Sequence, residues 1–235
     1  MLDKFIAHRG ISKIYPENTA ASIKAAKKAG IGSIEIDVMT LRDLVPIVFH
    51  DFTFDRCTNI SGRVKNYFYQ EVSTTDIGSW FSPKFKKEKL MTLKEVLFLI
   101  KRLNLKLNLE IKEEENDDSV KVILDVIKEA EFNYNKLIIS SFNQNILSSI
   151  KRIDSKINIG CLFEKVPPNW QNLCSNLCSK TIICDGHLLK KEQCLRILKN
   201  DFLVYCYTIN EKHLSNKLLK WGVNGIISDN PLTLI

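Results

Sequence analysis

Three short stretches near the front of the chain bring apolar, strand-like runs together with residues that can do chemistry. They are Ile6-Ala7-His8-Arg9-Gly10, Ile34-Glu35-Ile36-Asp37-Val38 and Val48-Phe49-His50-Asp51. Glu35 and Asp37 stand two apart, so on a strand they project to the same face. A later run, Leu107-Asn108-Leu109-Glu110-Ile111-Lys112, adds a further carboxylate and a lysine. Two histidines, clustered carboxylates and an arginine near strand ends are the parts required for metal-assisted phosphodiester chemistry. The carboxylates offer hard oxygen ligands, the arginine meets phosphate charge, and the histidines exchange protons near neutral pH.

The residue types leave two readings of the carboxylates open. Burying Glu35 and Asp37 unpaired is costly. A cation shared with Glu110 would remove that cost, and three carboxylate oxygens suit Mg²⁺ or Ca²⁺. The other reading pairs the carboxylates with Arg9 and Lys112 as salt bridges. His8 and His50, beside the same acidic strand, read as a general acid and general base pair, although a lone buried histidine is more often a satisfied core residue. His187 and His213, in helix-start and surface contexts, read as structural. Cys174 and Cys178 could share a helix face as a zinc pair, but no second pair with metal spacing follows. The seven cysteines, odd in number and without framework spacing, read as free thiols in a reducing compartment.

Strand-length apolar runs alternate with helical patterns almost throughout. Strands are expected near Phe5–His8, Ser33–Val38, Leu107–Ile111, Leu137–Ser140, Ile157–Leu162, Thr181–Cys184, Leu203–Tyr207 and Gly225–Ser228. Helices are expected over Asn18–Ala29, which stops at Gly30, after the capping-box residue Thr92, and over Ser119–Glu129, Asn143–Ile153, Lys190–Lys199 and Glu211–Trp221, with a weaker one at Asn169–Cys178. Val45–Phe49 begins too soon after Val38 for a parallel crossover, so it should fold back as a hairpin through Arg42-Asp43 and bring His50 beside Glu35. Eight strands remain after this hairpin is set aside. They predict a (β/α)8 TIM-type barrel with a small insertion after the His50 strand. An open doubly wound sheet would carry a Gly-rich phosphate turn after an early strand, and none is present. His8, Glu35, Asp37, Glu110, Lys112 and Thr208 all fall at or near strand C-termini, where barrel active sites lie. The aromatic segment 51–91 reads as an insertion over the barrel mouth, and residues 1–235 as one catalytic barrel domain.

Composition narrows the functional classes. The net charge of +7 is scattered, with one dense run at Lys84-Phe85-Lys86-Lys87-Glu88-Lys89, and no nucleic-acid-binding module accompanies it. No apolar run approaches the roughly 18 residues of a membrane span, and the first residues lack an apolar signal-peptide core. The expectation is a soluble, cytoplasmic protein with a small-molecule substrate, no nucleic-acid partner and no stable membrane insertion. The sequence assigns no oligomeric state.

The chain resembles the glycerophosphodiester phosphodiesterase family. The resemblance is carried by Ala7-His8-Arg9-Gly10, Pro16-Glu17-Asn18-Thr19, Glu35-Ile36-Asp37-Val38, Pro46-Ile47-Val48-Phe49-His50-Asp51, Asp55-Arg56, Thr92-Leu93-Lys94-Glu95-Val96, Leu109-Glu110-Ile111-Lys112 and Gly225-Ile226-Ile227-Ser228-Asp229-Asn230-Pro231. It runs from about Phe5 to Pro231 and implies a (β/α)8 barrel. It implies His8 and His50 as the catalytic pair, Arg9 as a phosphate ligand with Lys112 and Glu17 at substrate-binding positions, and Glu35, Asp37 and Glu110 as ligands of a divalent cation. The implied reaction hydrolyses glycerophosphodiesters to glycerol 3-phosphate and an alcohol through a cyclic phosphate, with His8 as base and His50 as acid by analogy with phosphoinositide-specific phospholipases C. The alternative within the same chemistry is a lysophospholipase D or phospholipase C-like enzyme, with Trp80, Phe81 and Phe85 as an apolar rim. Three departures stand out, one being that the segment 51–91 is short for the family's substrate-capping insertion. Asp43-Leu44 replaces the family's usual Asp-Gly turn, and Cys57 follows Asp55-Arg56 where Thr is usual.

Overall fold

The computed structural model describes residues 1–112 and 114–235. Nine strands form its sheet: β1 (Phe5–His8), β2 (Ser33–Thr40), β3 (Pro46–Val48), β4 (Lys106–Ile111), β5 (Leu137–Ser141), β6 (Ile159–Phe163), β7 (Thr181–Asp185), β8 (Leu203–Tyr207) and β9 (Gly225–Ser228). Eight of them are parallel neighbours in a ring, because β1 pairs with both β9 and β2 and so closes the barrel. β3 stands outside the ring and pairs antiparallel with β2, Val48 against Val38 and Pro46 against Thr40. The helices are α1 (Ala20–Lys28), α2 (Tyr69–Val72), α3 (Leu93–Leu103), α4 (Asp117–Glu129), α5 (Gln144–Ile153), α6 (Trp170–Asn176), α7 (Lys191–Lys199) and α8 (Lys212–Lys220). The expected barrel and its hairpin are therefore both present.

The period of two along each strand divides the apolar residues into two cores. Ala7, Ile34, Ile36, Leu107, Leu109, Ile139, Val204 and Ile226 face outward and pack under the helices. Ile6, Ile138, Leu162, Ile183, Tyr205 and Ile227 face inward and plug the barrel. Positions two residues further along β1, β2 and β4 lie on the inner face as well. That is why His8, Glu35, Asp37, Asn108, Glu110 and Lys112 are collected at the upper end of the barrel interior.

Local boundaries differ from expectation for identifiable reasons. α1 starts at Ala20 rather than Asn18, because Thr19 is its N-cap and Asn18 lies in the left-handed region with its side chain drawn to Asp37. β6 starts at Ile159 rather than Ile157, whose N–H instead closes a turn onto Asp154. The capping box at Thr92 forms as read, with Glu95 accepting from the Thr92 N–H at 2.8 Å. Cys174 is buried and Cys178 exposed, so the two do not present one metal-binding face. Among the described residues, no helix is long and apolar enough to cross a membrane.

The segment from 51 to 91 builds a small core of its own on the hairpin. Met39, Leu41, Ile47 and Phe49 pack with Phe54, Cys57, Val64, Val72, Ile77 and Leu90. The hairpin turn between β2 and β3 places Leu44 at φ +60°, a left-handed conformation that disfavours a side chain with a Cβ.

Candidate active site

Each chemical side chain is delivered by a strand end or by the loop just beyond it. His8 closes β1 opposite Glu35 on β2, and Asp37 lies opposite Glu110 on β4. His8, Arg9, Glu35, His50, Asn108, Glu110, Lys112 and Thr208 line a cavity of about 250 Å³, whose other wall is apolar: Leu162, Ile183, Ile227 and the ring of Phe142. A second, more open cavity of about 460 Å³ shares His50, Lys112 and Phe142 with it and adds Asp51, Phe52 and Thr53 from the start of the insertion.

The carboxylate cluster tests both sequence readings. Glu35, Asp37 and Glu110 each present an oxygen within 4.8 Å of the others. Salt bridges are there too: Lys112 Nζ lies 2.7 Å from Glu110 Oε1 and 3.6 Å from Asp37 Oδ1, and Arg9 Nε lies 3.2 Å from Asp37 Oδ2. They do not satisfy the cluster. Glu35 Oε1 and Asp37 Oδ1 are buried without a hydrogen-bond partner. Burial, followed by the charges of Asp37 and Glu110, pushes Glu35 well above the usual carboxylate range. Burial and Asp37 likewise push Glu110 up to about 7, against the pull of Lys112. Burial would raise Asp37 as well, but Arg9, His50, Lys112 and the Asn18 amide hold it below its ordinary value. Two buried carboxylates and a partly buried third, crowded so that their charges repel and with two orphaned oxygens among them, fit a hard divalent cation.

Each histidine has a carboxylate behind it. His8 Nδ1 donates to Asp229 Oδ1 at 2.6 Å, and its Nε2 lies 3.9 Å from Glu35 Oε2. Asp229 also accepts from Ser12 Oγ at 3.0 Å and Asn210 Nδ2 at 2.8 Å. Burial opposes its ionisation, but the His8 hydrogen bond, with those from Asn210 and Ser12, holds its carboxyl below the usual range. His50 Nδ1 donates to Asp51 Oδ1 at 2.6 Å. The fold-back register sets the Phe49 N–H on the Asp37 carbonyl, so His50 meets the acidic strand at Asp37, with Glu35 on the wall of the same cavity. Burial pushes His50 below its ordinary value, with Asp37 opposing the shift. Asp51 sits at about 2, because Arg56 and His50 outweigh the effect of burial.

Arg9 is held in an unusual backbone conformation at φ +53°, with its N–H on Glu35 Oε2 at 3.1 Å and its guanidinium on Glu17 Oε1 at 2.9 Å. Gly10 follows at φ +78°, where a Cβ would stand 2.4 Å from Ser22 Oγ, so only glycine fits beneath the loop. Glu17 does not line the cavity. Its carboxylate is occupied by Arg9 and Arg56. His187 is half-exposed against Asp185 and Glu211, and His213 is exposed; neither lines the cavity. Trp80, Phe81 and Phe85 pack on one another and on Arg56 and Tyr15 rather than lining the cavity. Asp229, Asp51, Asn18, Arg56 and Asn108 are site residues to which reasoning from sequence gave no role. Asp229 carried the same signal as the others, an acid just past a strand end.

Known proteins resemble this chain over nearly its whole length. A family profile described as glycerophosphoryl diester phosphodiesterase matches residues 8–233. A glycerophosphodiester phosphodiesterase of Caldanaerobacter subterraneus subsp. tengcongensis is 34% identical, over 98% of this chain and 95% of that protein. Another, from Bacillus altitudinis, is 27% identical over 98% of this chain and 96% of its own. Among solved structures, an Oleispira antarctica phosphodiesterase in complex with the product sn-glycerol-3-phosphate superposes with a TM-score of 0.96 at 31% identity, covering 99% of this chain and 95% of that one.

Proposed function

The chain belongs to the glycerophosphoryl diester phosphodiesterase family, and from that premise we propose that it hydrolyses glycerophosphodiesters to glycerol 3-phosphate and an alcohol by metal-dependent histidine acid/base catalysis. The observation that carries this reading is one cavity walled by His8, His50, Arg9, Lys112 and the Glu35 and Glu110 carboxylates, with the third carboxylate, Asp37, within 4.8 Å of both. The product bound to the Oleispira antarctica relative supports the substrate class.

Glu35, Asp37 and Glu110 would hold the cation, Mg²⁺ or Ca²⁺, which when bound supplies Lewis-acid neutralisation of charge on the phosphate. Arg9 and Lys112 bind the phosphate oxygens, and Glu17 fixes the Arg9 guanidinium. Asp229 occupies the Nδ1 of His8, so Nε2 is the nitrogen free to take the proton of the glycerol 2-hydroxyl. That oxygen attacks phosphorus within the same molecule, which avoids the entropy of bringing two reactants together. His50, tied through Nδ1 to Asp51, delivers a proton from Nε2 to the departing alcohol oxygen as its bond to phosphorus breaks. Water then opens the cyclic phosphate with the two histidines in exchanged roles. The segment 51–91 serves as an insertion of the single barrel domain over its mouth, with Phe52 and Thr53 toward the alcohol side. The free thiols support a cytoplasmic setting.

The test is release of glycerol 3-phosphate from a panel of glycerophosphodiesters and a long-chain lysolipid, with Mg²⁺, Ca²⁺ or Mn²⁺ in turn. The reading expects glycerophosphodiesters to exceed the lysolipid. Absence of glycerol 3-phosphate under every condition would remove it.

A further inference from the structure

Arg56 lies outside the cavity, yet it touches both arms of the site. Its Nε donates to Asp51 Oδ2 at 2.6 Å and its Nη2 to Asp51 Oδ1 at 2.9 Å. On the other side Nη1 donates to Glu17 Oε2 at 2.9 Å and Nη2 to Glu17 Oε1 at 2.8 Å. Asp51 Oδ1 also accepts from His50 Nδ1, and Glu17 Oε1 from Arg9 Nη1. A continuous chain of charge-assisted bonds therefore runs His50, Asp51, Arg56, Glu17, Arg9. The Trp80 ring of the insertion packs 5.9 Å from the guanidinium.

The Arg56 side chain is 44% exposed, and exposed ion pairs add little to fold stability. Four donors from one planar fork do add geometry: they fix two carboxylates that would otherwise rotate. We infer that Arg56 is a positioning residue that locks the His50 ring through Asp51 and the Arg9 guanidinium through Glu17, with Trp80 of the insertion as its support. The inference rests on the reading of His50 as the proton donor. A lysine could not replace Arg56, because an ammonium has no fork to grip both carboxylates.

The experiment compares the full-length wild type with Arg56→Ala and Arg56→Lys, well below their melting temperatures. It measures kcat and KM and the ¹⁵N shifts of the His50 ring, assigned by their loss in His50→Gln. The inference expects kcat to fall on the order of 10- to 100-fold in both variants, the usual scale for removing a supporting partner of a site ligand. It expects the His50 ring to pass from one Nδ1–H tautomer to a mixture. Guanidinium ion at sub-denaturing concentration should restore part of the rate to Arg56→Ala and none to Arg56→Lys. A rate loss with an unchanged ring signal would overturn the inference, since the His50 ring would then be held in place without Arg56. An unchanged rate with an unchanged ring would also overturn it. Loss of the folded state in both variants would do the same by making Arg56 a fold residue. A changed ring with an unchanged rate would uphold the positioning of His50 and fail the reading of His50 as proton donor instead.

Discussion

The two histidines of the site have the same kind of immediate partner, an aspartate on Nδ1, and opposite mountings. His8 and Asp229 come from β1 and from the end of β9, and they meet because the barrel closes. Ser12 and Asn210 then hold Asp229 from two further loops. His50 and Asp51 are neighbours in sequence, carried by a hairpin outside the ring and steadied by one exposed arginine. One carboxylate–histidine pair is thus fixed by global topology and the other by a local turn and a single fork. The same chemical unit can be assembled by either route, but the second concentrates its support in fewer contacts.

The largest effect should fall on both pairs alike. Excess chelator should abolish activity, a divalent cation should restore it, and Glu35→Gln should lower cation affinity and rate together; full activity in chelator would remove the shared cation site. Next come the histidines. His8→Ala and His50→Ala should each lose on the order of 10²-fold or more in kcat, and the double variant should be little worse than either, because the pair acts as a unit. Steady-state kinetics showing either single variant near wild type would break the symmetry between them.

The supporting residues separate the two mountings. Asp229→Asn and Asp51→Asn should each reduce kcat on the order of 10- to 100-fold. In a double-mutant cycle with Arg56→Ala, Asp51→Asn should be strongly non-additive and Asp229→Asn close to additive, because only Asp51 touches Arg56. Equal coupling in both cycles would show that the two pairs communicate.

Stability against pH offers a smaller signal. Both supporting carboxyls titrate below their ordinary value, Asp51 at about 2. A depressed carboxylate contributes stability in full above its unfolded pKa of about 3.9, and that contribution is lost as pH falls through the folded pKa. Melting temperatures in chelator should therefore place Asp229→Asn and Asp51→Asn below wild type at about pH 6, with the gap narrowing below about pH 4 and closing only as pH falls through the folded pKa, about 2 for Asp51. A gap of constant size would remove the linkage.

The smallest effect tests the hairpin alone. Leu44 occupies a left-handed position that suits glycine, so Leu44→Gly should raise stability by about 1 kcal/mol in denaturant unfolding with kcat unchanged. A destabilised Leu44→Gly would mean that the side chain's packing outweighs its backbone strain.

The same contrast explains what was legible in the sequence. Strand periodicity and polar residues two apart pointed to Glu35, Asp37, Glu110 and Lys112, and the short spacing from Val38 to Val45 required the fold-back that carries His50. Those signals are local. The partnership of His8 with Asp229 spans the chain from its first strand to its last, and no window contains it. The role of Arg56, although Asp55-Arg56 belongs to the stretches that carry the family resemblance, was hidden for a different reason. The residue sits in a stretch without periodicity, and nothing in residue type alone tells a solvated arginine from one that grips two carboxylates. Asn18 shifted the start of α1 for the same kind of reason, because its side chain serves Asp37 rather than the helix.

The closure of β1 by β9 also sets a time order on the site. Translation delivers His8 early and Asp229 more than two hundred residues later. Domains fold as units while synthesis proceeds from the N-terminus, and pairings this distant along the chain are among the slowest to form. A ribosome-bound chain that has reached Asp51 contains both members of the His50–Asp51 pair, while His8 still lacks the carboxylate that orients it. Catalytic competence therefore arrives as a late event in the life of each new molecule, when the last strand docks beside the first.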